Sequence, residues 1–403
     1  MKTSDVPPRA PSTWKILFAV GPGDTVGSFD EWTQGESRGA SASLTYTALT
    51  LDFCRESGAQ GWLISSCERR DIRHSEQFVV ENRPKVSVGG GALAYHWQQF
   101  RYFASLAKSA SDYGATHIVV DTGTTHWFWW SILALRGTKI YANFHNTYYT
   151  IGHWRGSMIR NAIRQLDGWF FHRFCDGAVG VSQECRKQFA ELGGAYERCV
   201  VYNAIFRRED FIGFAPQAPY AELQRIVYVG RMESDKGVID LLDAFELLRS
   251  RHPTLNVALD YCGEGPAIAD VRQRLEASPA LKARVTLHGQ LKRQGLLAAY
   301  RAAHVVVVPT TSRFMEGFPK VCAEAILTRR PLVISDAVPT IDGLAEAAMV
   351  YRCDQPEDLM QGLVALLSDP ALYAVKVERA SALGDRFFDE RNSMSAALAA
   401  VVR

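Results

Sequence analysis

The chain has 403 residues, enough for two domains of about 200 residues each. Its 47% hydrophobic and 22% charged residues exclude a disordered chain, because this balance suffices to bury cores. Lysine and arginine number 45 and aspartate and glutamate 43, so the chain lacks the basic excess typical of nucleic-acid-binding proteins. We expect a globular protein with no nucleic-acid partner.

No feature of the sequence predicts a membrane span or a disulfide framework. Residues 1–15 are polar and rich in proline, unlike a signal peptide. The longest apolar window without charges, 127–135, is far shorter than the roughly 18–20 residues of a transmembrane helix. The 8 cysteines form no CxxC pair and no zinc-binding spacing, which is typical of reduced core cysteines. We expect a cytoplasmic location, either in solution or at the inner face of the plasma membrane.

Short runs rich in valine and isoleucine alternate with longer helical patterns along the whole chain. Strands are predicted at 15–20, 61–65, 117–121, 139–144, 177–181, 226–229, 255–261, 285–287, 304–308 and 331–335. Helices are predicted at 40–57, 95–113, 238–251 and 320–329. Buried strands separated by helices are typical of parallel sheets covered on both faces.

Two doubly wound domains are therefore predicted, and two prolines within 213–219 mark the chain between them. The first domain is predicted to span 1–213 and the second 214–380, with strand ends lining a cleft between them. Residues 381–403 are predicted to form a helix that packs back on the first domain. The predicted fold class is thus α/β, with two Rossmann-like domains facing a central cleft.

A glycine-rich stretch after the first strand, Gly21–Gly27, is close to a dinucleotide-binding loop. It has one residue too many, and Pro22 removes a backbone donor where phosphate would bind. Residues 28–39 are interpreted as a turn with no helix, so nicotinamide or flavin binding is disfavoured. The loop Gly35–Gly39, which leads into the first predicted helix, is a better anion site, with plain loop flexibility as the alternative.

Four motifs in the second half of the chain each follow a predicted strand, where sheets of this kind bind ligands. In chain order they contain Arg231 and Lys236; Gly263 and Gly265; Gly289; and Glu316, Gly317, Phe318 and Glu324. Each motif taken alone is common. All four in this order, each after a strand, form a specific pattern.

The last motif places two carboxylates on either side of a helix start. Glu324 lies roughly 7 Å along this helix, so it and Glu316 are able to accept hydrogen bonds from two different hydroxyl-bearing parts of one ligand. The helix N-terminus between them suits a phosphate, and Arg231 and Lys236 add positive charge. The composite site is predicted to bind a sugar, a diphosphate and a ribose.

This order of motifs resembles the retaining glycosyltransferases of family 4, also called glycosyl transferases group 1, which have the GT-B fold. The resemblance is strong over 225–352 and collinear over the first domain. It implies that Arg231 and Lys236 hold the diphosphate of a nucleotide-sugar donor and that Glu324 binds the ribose. It implies further donor contacts from the other motif residues, namely Glu316 at the transferred sugar, the amides of Gly317 and Phe318, and Gly263, Gly265 and Gly289.

In the first domain the resemblance implies a role for Gly39 in the family's glycine loop and for His145, at a strand end, in touching the donor sugar. Residues 201–205 resemble the segment near the domain junction. The chain departs from the family at Ala204, where glycine is usual, and at 328–331, which replaces a Gly-x-Pro. Neither departure removes a charged donor-binding residue.

The implied chemistry is transfer with retention of configuration, without a cofactor or a metal. The chain contains no Asp-x-Asp, the motif with which many transferases hold a metal. Arg231, Lys236 and the helix N-terminus before Glu324 are expected to neutralise the leaving group instead. No nucleophile is evident on the other face of the sugar, so front-face departure and attack is preferred to His145 as sole general base.

Aromatic residues of the first domain are candidates for contact with the acceptor, since aromatic faces stack on sugar rings; the alternative is core packing. These candidates are Trp127, Tyr148, Tyr149 and Trp154. The segment 153–173 carries four arginines against one acid, Asp167, with apolar residues at helical spacing. Such a helix is predicted to rest on an anionic membrane surface, with an ordinary solvated helix as the alternative.

The sequence thus predicts an enzyme that moves a hexose from a nucleotide-diphosphate sugar to a glycan or a lipid-linked saccharide. A UDP-sugar is favoured, a GDP-sugar is next, and a role in bacterial surface polysaccharide or glycolipid biosynthesis is expected. Two alternatives remain: a sugar-nucleotide epimerase of the same fold, and a non-catalytic protein that binds nucleotide-sugars. The intact charged residues of the donor motifs argue against the second.

Overall fold

The computed structural model of the chain describes residues 13–35, 43–86, 90–152, 156–218, 222–339 and 343–402. Within them the chain builds two α/β domains, each around its own sheet. Charged and polar site residues follow the strands of both sheets, as the sequence predicts for doubly wound domains.

The sheet of the first domain has eight strands in the described residues. They are β1 (Lys15–Val20), β2 (Gln60–Ser65), β3 (Asp71–His74), β4 (Phe78–Asn82), β5 (His117–Asp121), β6 (Lys139–Phe144), β7 (Cys175–Gly180) and β8 (Cys199–Val201). Their order is β3-β4-β2-β1-β5-β6-β7-β8, and only β3 and β4 are antiparallel. The parallel arrangement is confirmed, while β3, β4 and β8 lie outside the predicted strands.

The helices of the first domain are α1 (Thr25–Thr33), α2 (Tyr46–Ser57), α3 (Ala92–Tyr113), α4 (Ser131–Ala134), α5 (Met158–Arg173) and α6 (Gln183–Glu191). Helix α2 ends as predicted at Gly58, which adopts a left-handed φ of 69°. It begins later than the predicted residue 40, because the hydroxyl of Thr45 accepts a hydrogen bond from the Ala48 amide and caps the helix there.

Helix α1 corrects the interpretation of 28–39 as a turn without a helix. Asp24 caps this helix by accepting a hydrogen bond from the Gly27 amide at 2.9 Å. The Asn82 side-chain oxygen accepts from the amides of Thr25 and Val26 at 3.1 and 3.4 Å. The amides that would hold a phosphate in a dinucleotide-binding loop are therefore already bound to side chains of the protein.

The sheet of the second domain is entirely parallel, with the order β11-β10-β9-β12-β13-β14 in the described residues. Its strands are β9 (Gln224–Val229), β10 (Val257–Cys262), β11 (Val285–Gly289), β12 (Val305–Val308), β13 (Leu332–Ser335) and β14 (Ala348–Tyr351). Strand β12 is four buried valines, which is typical of a strand covered on both faces. The two Rossmann-like domains confirm the predicted fold class.

The helices that follow in the chain are α7 (Val238–Arg251), α8 (Ile268–Ala277), α9 (Pro279–Lys282), α10 (Arg293–Ala302), α11 (Lys320–Leu327), α12 (Leu344–Ala347), α13 (Pro356–Ser368), α14 (Pro370–Leu383) and α15 (Met394–Val401). Helices α7 and α13 pack against each other in the second domain. Helix α15 instead packs on α2, β7 and β8 of the first domain.

The chain therefore passes between the two domains twice, once after β8 and once after α14. The second passage is held by backbone hydrogen bonds, because the Asn392 carbonyl accepts from the Asn203 amide at 2.7 Å and the Phe387 carbonyl accepts from the Phe206 amide at 2.9 Å. Both accepting carbonyls lie in the segment that follows α14 and both amides in the segment that follows β8.

All eight cysteines lie in the described residues and none forms a disulfide, as the sequence predicts. Six are buried, which agrees with a core role. None of the helices in the described part of the chain is both long enough and apolar enough to cross a bilayer.

Candidate active site

The two domains touch where the carboxyl end of β6 meets the loop before α11. Gly317 lies so close to His145 that a Cβ atom built on it would be 2.0 Å from the His145 carbonyl oxygen. Beside this contact, the Lys320 ammonium of α11 lies 4.5 Å from the centre of the Tyr46 ring at the start of α2. Gly317 thus permits a close approach between domains, a role that its position in the sequence had suggested for a ligand.

Two of the predicted donor-binding residues are in direct contact. Lys236 follows β9 and Glu316 follows β12, and the Lys236 ammonium donates to Glu316 Oε2 at 2.6 Å. The Thr310 hydroxyl donates to the same oxygen at 3.4 Å. The Lys236 ammonium also lies 3.6 Å from the centre of the Phe314 ring. The structure therefore holds one cation and one carboxylate together at the carboxyl edge of the second sheet, 80 residues apart in sequence.

Arg231 lies at the outer side of this pair and is largely exposed. Its guanidinium donates to Glu233 at 2.6 Å, and its side chain is 63% exposed, so the ion pair is a weak one that a phosphate would readily replace. The Arg231 carbonyl accepts from the Tyr228 hydroxyl at 2.6 Å, which fixes the loop after β9. Arg231 and Lys236 together supply two positive charges to one edge of the sheet.

The glycines of the second motif allow two loops to pack backbone against backbone. A Cβ on Gly263 would lie 1.8 Å from the Gly230 carbonyl oxygen, and one on Gly265 would lie 2.5 Å from the Met232 oxygen. Both glycines hold the loop after β10 against the loop that carries Arg231. Gly289 ends β11 at a φ of 67°, next to the Glu264 side chain. These glycines shape the site through the protein's own backbone, whatever ligand binds there.

Glu324 is buried within α11, with only 4% of its surface exposed. Burial raises the pKa of its carboxyl, while a hydrogen bond from Tyr300 and the charge of Lys320 lower it. The Tyr300 hydroxyl donates to Glu324 Oε2 at 2.6 Å, so α10 fixes the direction of this carboxylate. Nothing in the sequence motifs had indicated Tyr300.

Arg330 connects α10, which carries Tyr300, to the linker between the domains at Ala215. It is 2% exposed, and its guanidinium donates to the carbonyls of Tyr300, Ala215 and Arg301 at 2.7, 2.8 and 3.3 Å. The preceding Arg329 has a left-handed φ of 57°, at the position where the family pattern has glycine. The departure at 328–331 thus adds a buried arginine that fastens the linker to α10.

Phe318, the aromatic residue of the last motif, is buried at the second passage between the domains. Its ring stacks on Phe387 with the centres 6.2 Å apart. The loop that carries Glu316 is therefore packed against the segment that bonds to the first domain. Gly39, the predicted donor contact of the glycine loop, lies outside the described residues.

His145 follows β6 and faces the cleft with 20% of its side chain exposed. Its Nδ1 lies 3.2 Å from the Thr122 hydroxyl and 3.7 Å from an Asp121 carboxylate oxygen. Asp121 also accepts hydrogen bonds from the Gly21 amide at 3.2 Å and the Asn143 side chain at 2.7 Å. Burial raises the pKa of Asp121, and His145 lowers it. The Thr122 hydroxyl, which is the hydrogen-bond partner of Nδ1, orients the imidazole, and the Asp121 carboxylate lies beside it. Asp121 is recognisable in the sequence as a charged residue at the end of a buried strand.

A cavity of about 600 Å³ opens beside His145 at the carboxyl edge of the first sheet. Its walls include Gly21, Ser66, Lys85, Thr122, His145 and Asn146. Clefts of this size typically hold small ligands. Of the aromatic residues predicted to contact the acceptor, the three that the structure describes, Trp127, Tyr148 and Tyr149, are not among the residues that line it.

Trp127 lies in the core of the first domain rather than where an acceptor could reach it. The residue is 2% exposed, and its ring stacks on Phe144 with the centres 5.9 Å apart. Tyr148 and Tyr149 are half-buried, and their hydroxyls donate to Asp167 (2.8 Å) and to Glu191. These contacts tie both tyrosines to α5 and α6. Trp154 lies outside the described residues. The core-packing alternative thus describes Trp127 best.

The described residues contain no group of three or more histidine, cysteine, aspartate or glutamate side chains arranged to hold a metal ion. Charged groups at the cleft include Arg231, Lys236, Glu316 and Glu324 from the second domain and Asp121, beside His145, from the first. A cleft of this kind can bind an anionic diphosphate at the cationic side and hydroxyl groups at the carboxylates.

Comparisons with known proteins match both halves of the chain. A model of the family "Glycosyltransferase Family 4" matches residues 48–206, and one of "Glycosyl transferases group 1" matches residues 224–369. The chain is 30% identical over 228 residues to a glycogen synthase of Mycobacterium tuberculosis, covering 54% of this chain and 51% of that protein. It is 28% identical over 149 residues to a D-inositol 3-phosphate glycosyltransferase of Corynebacterium glutamicum, covering 36% and 35%. The chain thus spans about half or less of the length of these curated relatives.

Solved structures match nearly the whole chain at low sequence identity. HepE of Anabaena, in complex with UDP, has a TM-score of 0.62 at 15% identity and covers 93% of this chain and 96% of its own. Sucrose-phosphate synthase of Thermosynechococcus elongatus has a TM-score of 0.68 at 15% identity and covers 96% and 97%. At such identities the likeness concerns the fold, and the fold they share is GT-B. Models of two glycosyltransferase families thus match one part of each half of the chain, and the whole chain has the GT-B fold.

Proposed function

We propose that the protein is a retaining, metal-independent glycosyltransferase that moves a hexose from a nucleotide-diphosphate sugar to a saccharide or lipid-linked saccharide acceptor. The observation that carries this proposal is the contact of Lys236 with Glu316 beside the point where Gly317 meets His145. A diphosphate-binding cation, a sugar-binding carboxylate and the first domain converge there. UDP is the favoured carrier and GDP the next, and the structural neighbour with bound UDP supports the first.

The leaving diphosphate gains negative charge as the sugar–phosphate bond breaks. Arg231 and Lys236 neutralise that charge, and the amides at the start of α11 add to them. Lys236 then shares its ammonium between Glu316 and the phosphate, which holds Glu316 near the transferred sugar. Glu324, oriented by Tyr300, accepts hydrogen bonds from the ribose hydroxyls.

The acceptor enters from the first domain, through the cavity beside His145. In the proposed front-face reaction its hydroxyl attacks from the same side that the diphosphate leaves, so the leaving oxygen takes up the proton. His145, whose Nδ1 shares a hydrogen bond with the Thr122 hydroxyl beside Asp121, orients the sugar rather than acting as the sole base. The biological setting that we propose is the synthesis of bacterial surface polysaccharide or glycolipid.

Calorimetric titration with UDP, GDP and ADP, each with and without EDTA, tests this proposal. We expect UDP to bind and EDTA to leave the affinity unchanged, and Arg231→Ala to weaken binding about tenfold or more, because it removes a charge-assisted phosphate contact. Arg251→Ala is the matched control, since Arg251 pairs with Glu357 at the far end of α7. Absence of nucleoside diphosphate binding, or binding abolished by EDTA, would contradict the proposal.

Product analysis with a UDP-hexose separates transfer from the two alternatives. Formation of a glycoside with the anomeric configuration of the donor supports a retaining transferase. Release of a different free sugar or sugar nucleotide would point to an epimerase of the same fold. Binding without turnover in the presence of a range of saccharides would point to a non-catalytic protein.

We further propose that residues 153–173 contact an anionic membrane surface at the inner face of the plasma membrane, where a lipid-linked acceptor would lie. Helix α5 carries exposed apolar side chains, with Met158 88%, Ile159 57% and Trp169 51% exposed. Arg160 and Arg164 lie on the same helix. A helix with apolar and basic side chains of this kind binds at the boundary between headgroups and acyl chains.

Sedimentation with vesicles tests this contact. We expect the protein to sediment with vesicles that contain phosphatidylglycerol and to remain in solution with phosphatidylcholine alone, because the arginines require anionic lipid. Replacing Met158 and Trp169 by serine should reduce sedimentation several-fold. Ile212→Ser is the control, since Ile212 is 70% exposed outside α5. Equal sedimentation of both variants would contradict the proposal.

A further inference from the structure

The cavity beside His145 contains one lysine whose charge is not neutralised by a carboxylate. Lys85 follows β4, and its ammonium donates to the Thr124 carbonyl at 2.7 Å, the Gly123 carbonyl at 3.2 Å and the Gln99 side-chain oxygen at 3.5 Å. All three acceptors are neutral. Lys85 makes no ion pair within the described part of the chain. A positive charge therefore stands at the wall of a cavity of about 600 Å³.

These three acceptors use all three N–H groups of the ammonium, so a ligand oxygen would replace the most distant of them, Gln99 Oε1 at 3.5 Å. The Lys85 ammonium lies 5.3 Å from the centre of the Tyr102 ring, behind the cavity wall. Burial lowers the pKa of Lys85 to about 8, so the ammonium form still prevails at neutral pH. The cost of burying it would be offset by an anion, which is the usual partner of a buried cation.

The other titratable groups near the cavity do not supply that anion. Glu68 lines the rim and is exposed to solvent. Asp121 is bound to Gly21 and Asn143 behind His145. His126 lies on the far side of Lys85, and burial together with the nearby His96 and Lys85 lowers its pKa to about 4, so it is neutral at pH 7. Glu81, two residues before Arg83, pairs with that arginine at 2.6 Å.

We propose that Lys85 binds an ionised phosphate group of the acceptor, so that the acceptor is a phosphate-bearing saccharide. This inference rests on the proposed function, because it takes the cavity beside His145 as the acceptor site. A phosphate offers three acceptor oxygens, and the cavity wall adds the hydroxyl-bearing Ser66 and Thr122 and the amide-bearing Asn146 to the ammonium. A soluble sugar phosphate and a lipid-linked sugar phosphate both present this group, and the experiment below distinguishes them.

The experiment titrates the protein, saturated with UDP so that the donor site is filled, with glucose 6-phosphate and with glucose. We expect glucose 6-phosphate to bind at least tenfold more tightly than glucose. Lys85→Met should lose this difference, and Lys85→Arg should retain most of it because the charge remains. Lys108→Met is the matched control, since Lys108 is an exposed lysine on α3 that pairs with Asp112.

A proton measurement separates a binding role from a merely structural one. At pH 8 a sugar phosphate is fully ionised, while Lys85 is only partly protonated. Binding of the phosphate should raise the pKa of Lys85 toward its ordinary value, so the complex takes up a fraction of a proton from the buffer. Calorimetry in two buffers of different ionisation enthalpy measures this uptake. We expect it to be absent in Lys85→Met.

A second arm repeats the titration with glucose joined through phosphate to a long alkyl chain, in detergent micelles. Tighter binding of the alkyl form assigns the phosphate to a lipid-linked acceptor, and equal binding assigns it to a soluble sugar phosphate; either supports the proposal. Equal affinities of glucose and glucose 6-phosphate, or no effect of Lys85→Met, would overturn the proposal that Lys85 binds a phosphate. The proposed function would still stand in that case, provided that the protein binds UDP. Failure to bind UDP would overturn the proposed function, and Lys85-dependent phosphate binding would remain measurable without it.

Discussion

Replacing Gly317 by alanine should reduce sugar transfer about hundredfold, because displacements of about 1 Å in an active site have effects of this size. The added Cβ would lie 2.0 Å from the His145 carbonyl oxygen and 2.9 Å from Val181 Cγ1, far inside van der Waals contact. The domains must then separate at the point where Glu316 faces the first domain. Gly317 does not have a left-handed φ, so the effect is steric and leaves the loop conformation accessible to alanine.

Steady-state kinetics and small-angle X-ray scattering together measure this effect. We expect kcat to fall, UDP affinity to change little and the radius of gyration to increase, because the second domain itself remains intact. Gly23→Ala is the matched control, since Gly23 lies in the loop after β1 with no atom within 4 Å of an added Cβ. A Gly317→Ala protein with unchanged shape and unchanged kcat would show that the domain contact is not used in the reaction.

Replacing Arg330 by methionine should lower the free energy of unfolding by about 3 kcal/mol or more. Methionine fills much of the same volume but leaves the carbonyls of Tyr300, Ala215 and Arg301 without their buried donor, and each such group costs about 1–3 kcal/mol. The same change releases the linker from α10. Glu324 then loses support for the tyrosine that orients it, so UDP affinity should fall as well.

Denaturant unfolding with UDP titration measures both consequences. Arg329→Met is the control, because Arg329 is the exposed neighbour of Arg330. Arginine and methionine are equally strained at its left-handed φ, so this exchange should leave the stability nearly unchanged. Tyr300→Phe separates the two effects, since it removes the 2.6 Å hydrogen bond to Glu324 and leaves the Tyr300 carbonyl to Arg330. The expected result is weaker UDP binding in Tyr300→Phe with a smaller loss of stability than in Arg330→Met, because one buried acceptor rather than three loses its donor. Unchanged UDP affinity in both variants would contradict a positioning role.

The central strands were predictable because they are continuous apolar runs, as in β1 and β12, which burial on both faces requires. Strands β3 and β4 were not, since β3, at the edge of the sheet, is the polar sequence Asp71–His74, and buried residues of β4 alternate with partly exposed ones. Helix α1 was missed because its glycines suggested a turn. Asp24, three residues before Gly27, was the capping signal that the structure uses.

The donor motifs were predictable because each follows a strand, and strands of a parallel sheet end at one edge. What the motifs cannot give is contact between elements distant in sequence. The Lys236–Glu316 pair joins residues 80 apart, and Gly317 meets His145 only when two domains dock. Tyr300 and Lys85 belong to no sequence motif, because the residues that they contact, such as Glu324 and Thr124, are distant in the chain. The burial of Trp127 has a related reason, since an aromatic side chain packs in a core as readily as it stacks on a sugar.

The return of α15 to the first domain sets a rule for recombining this protein with its relatives. Val401 lies against Gly177 of β7, where an added Cβ would be 2.6 Å from its side chain, so this fit is specific to the chain. A chimera cut only within 213–218 would join the first domain of one parent to the tail of another. Exchange of donor specificity therefore requires two junctions, the second near Gly384, so that the inserted piece ends before the tail begins.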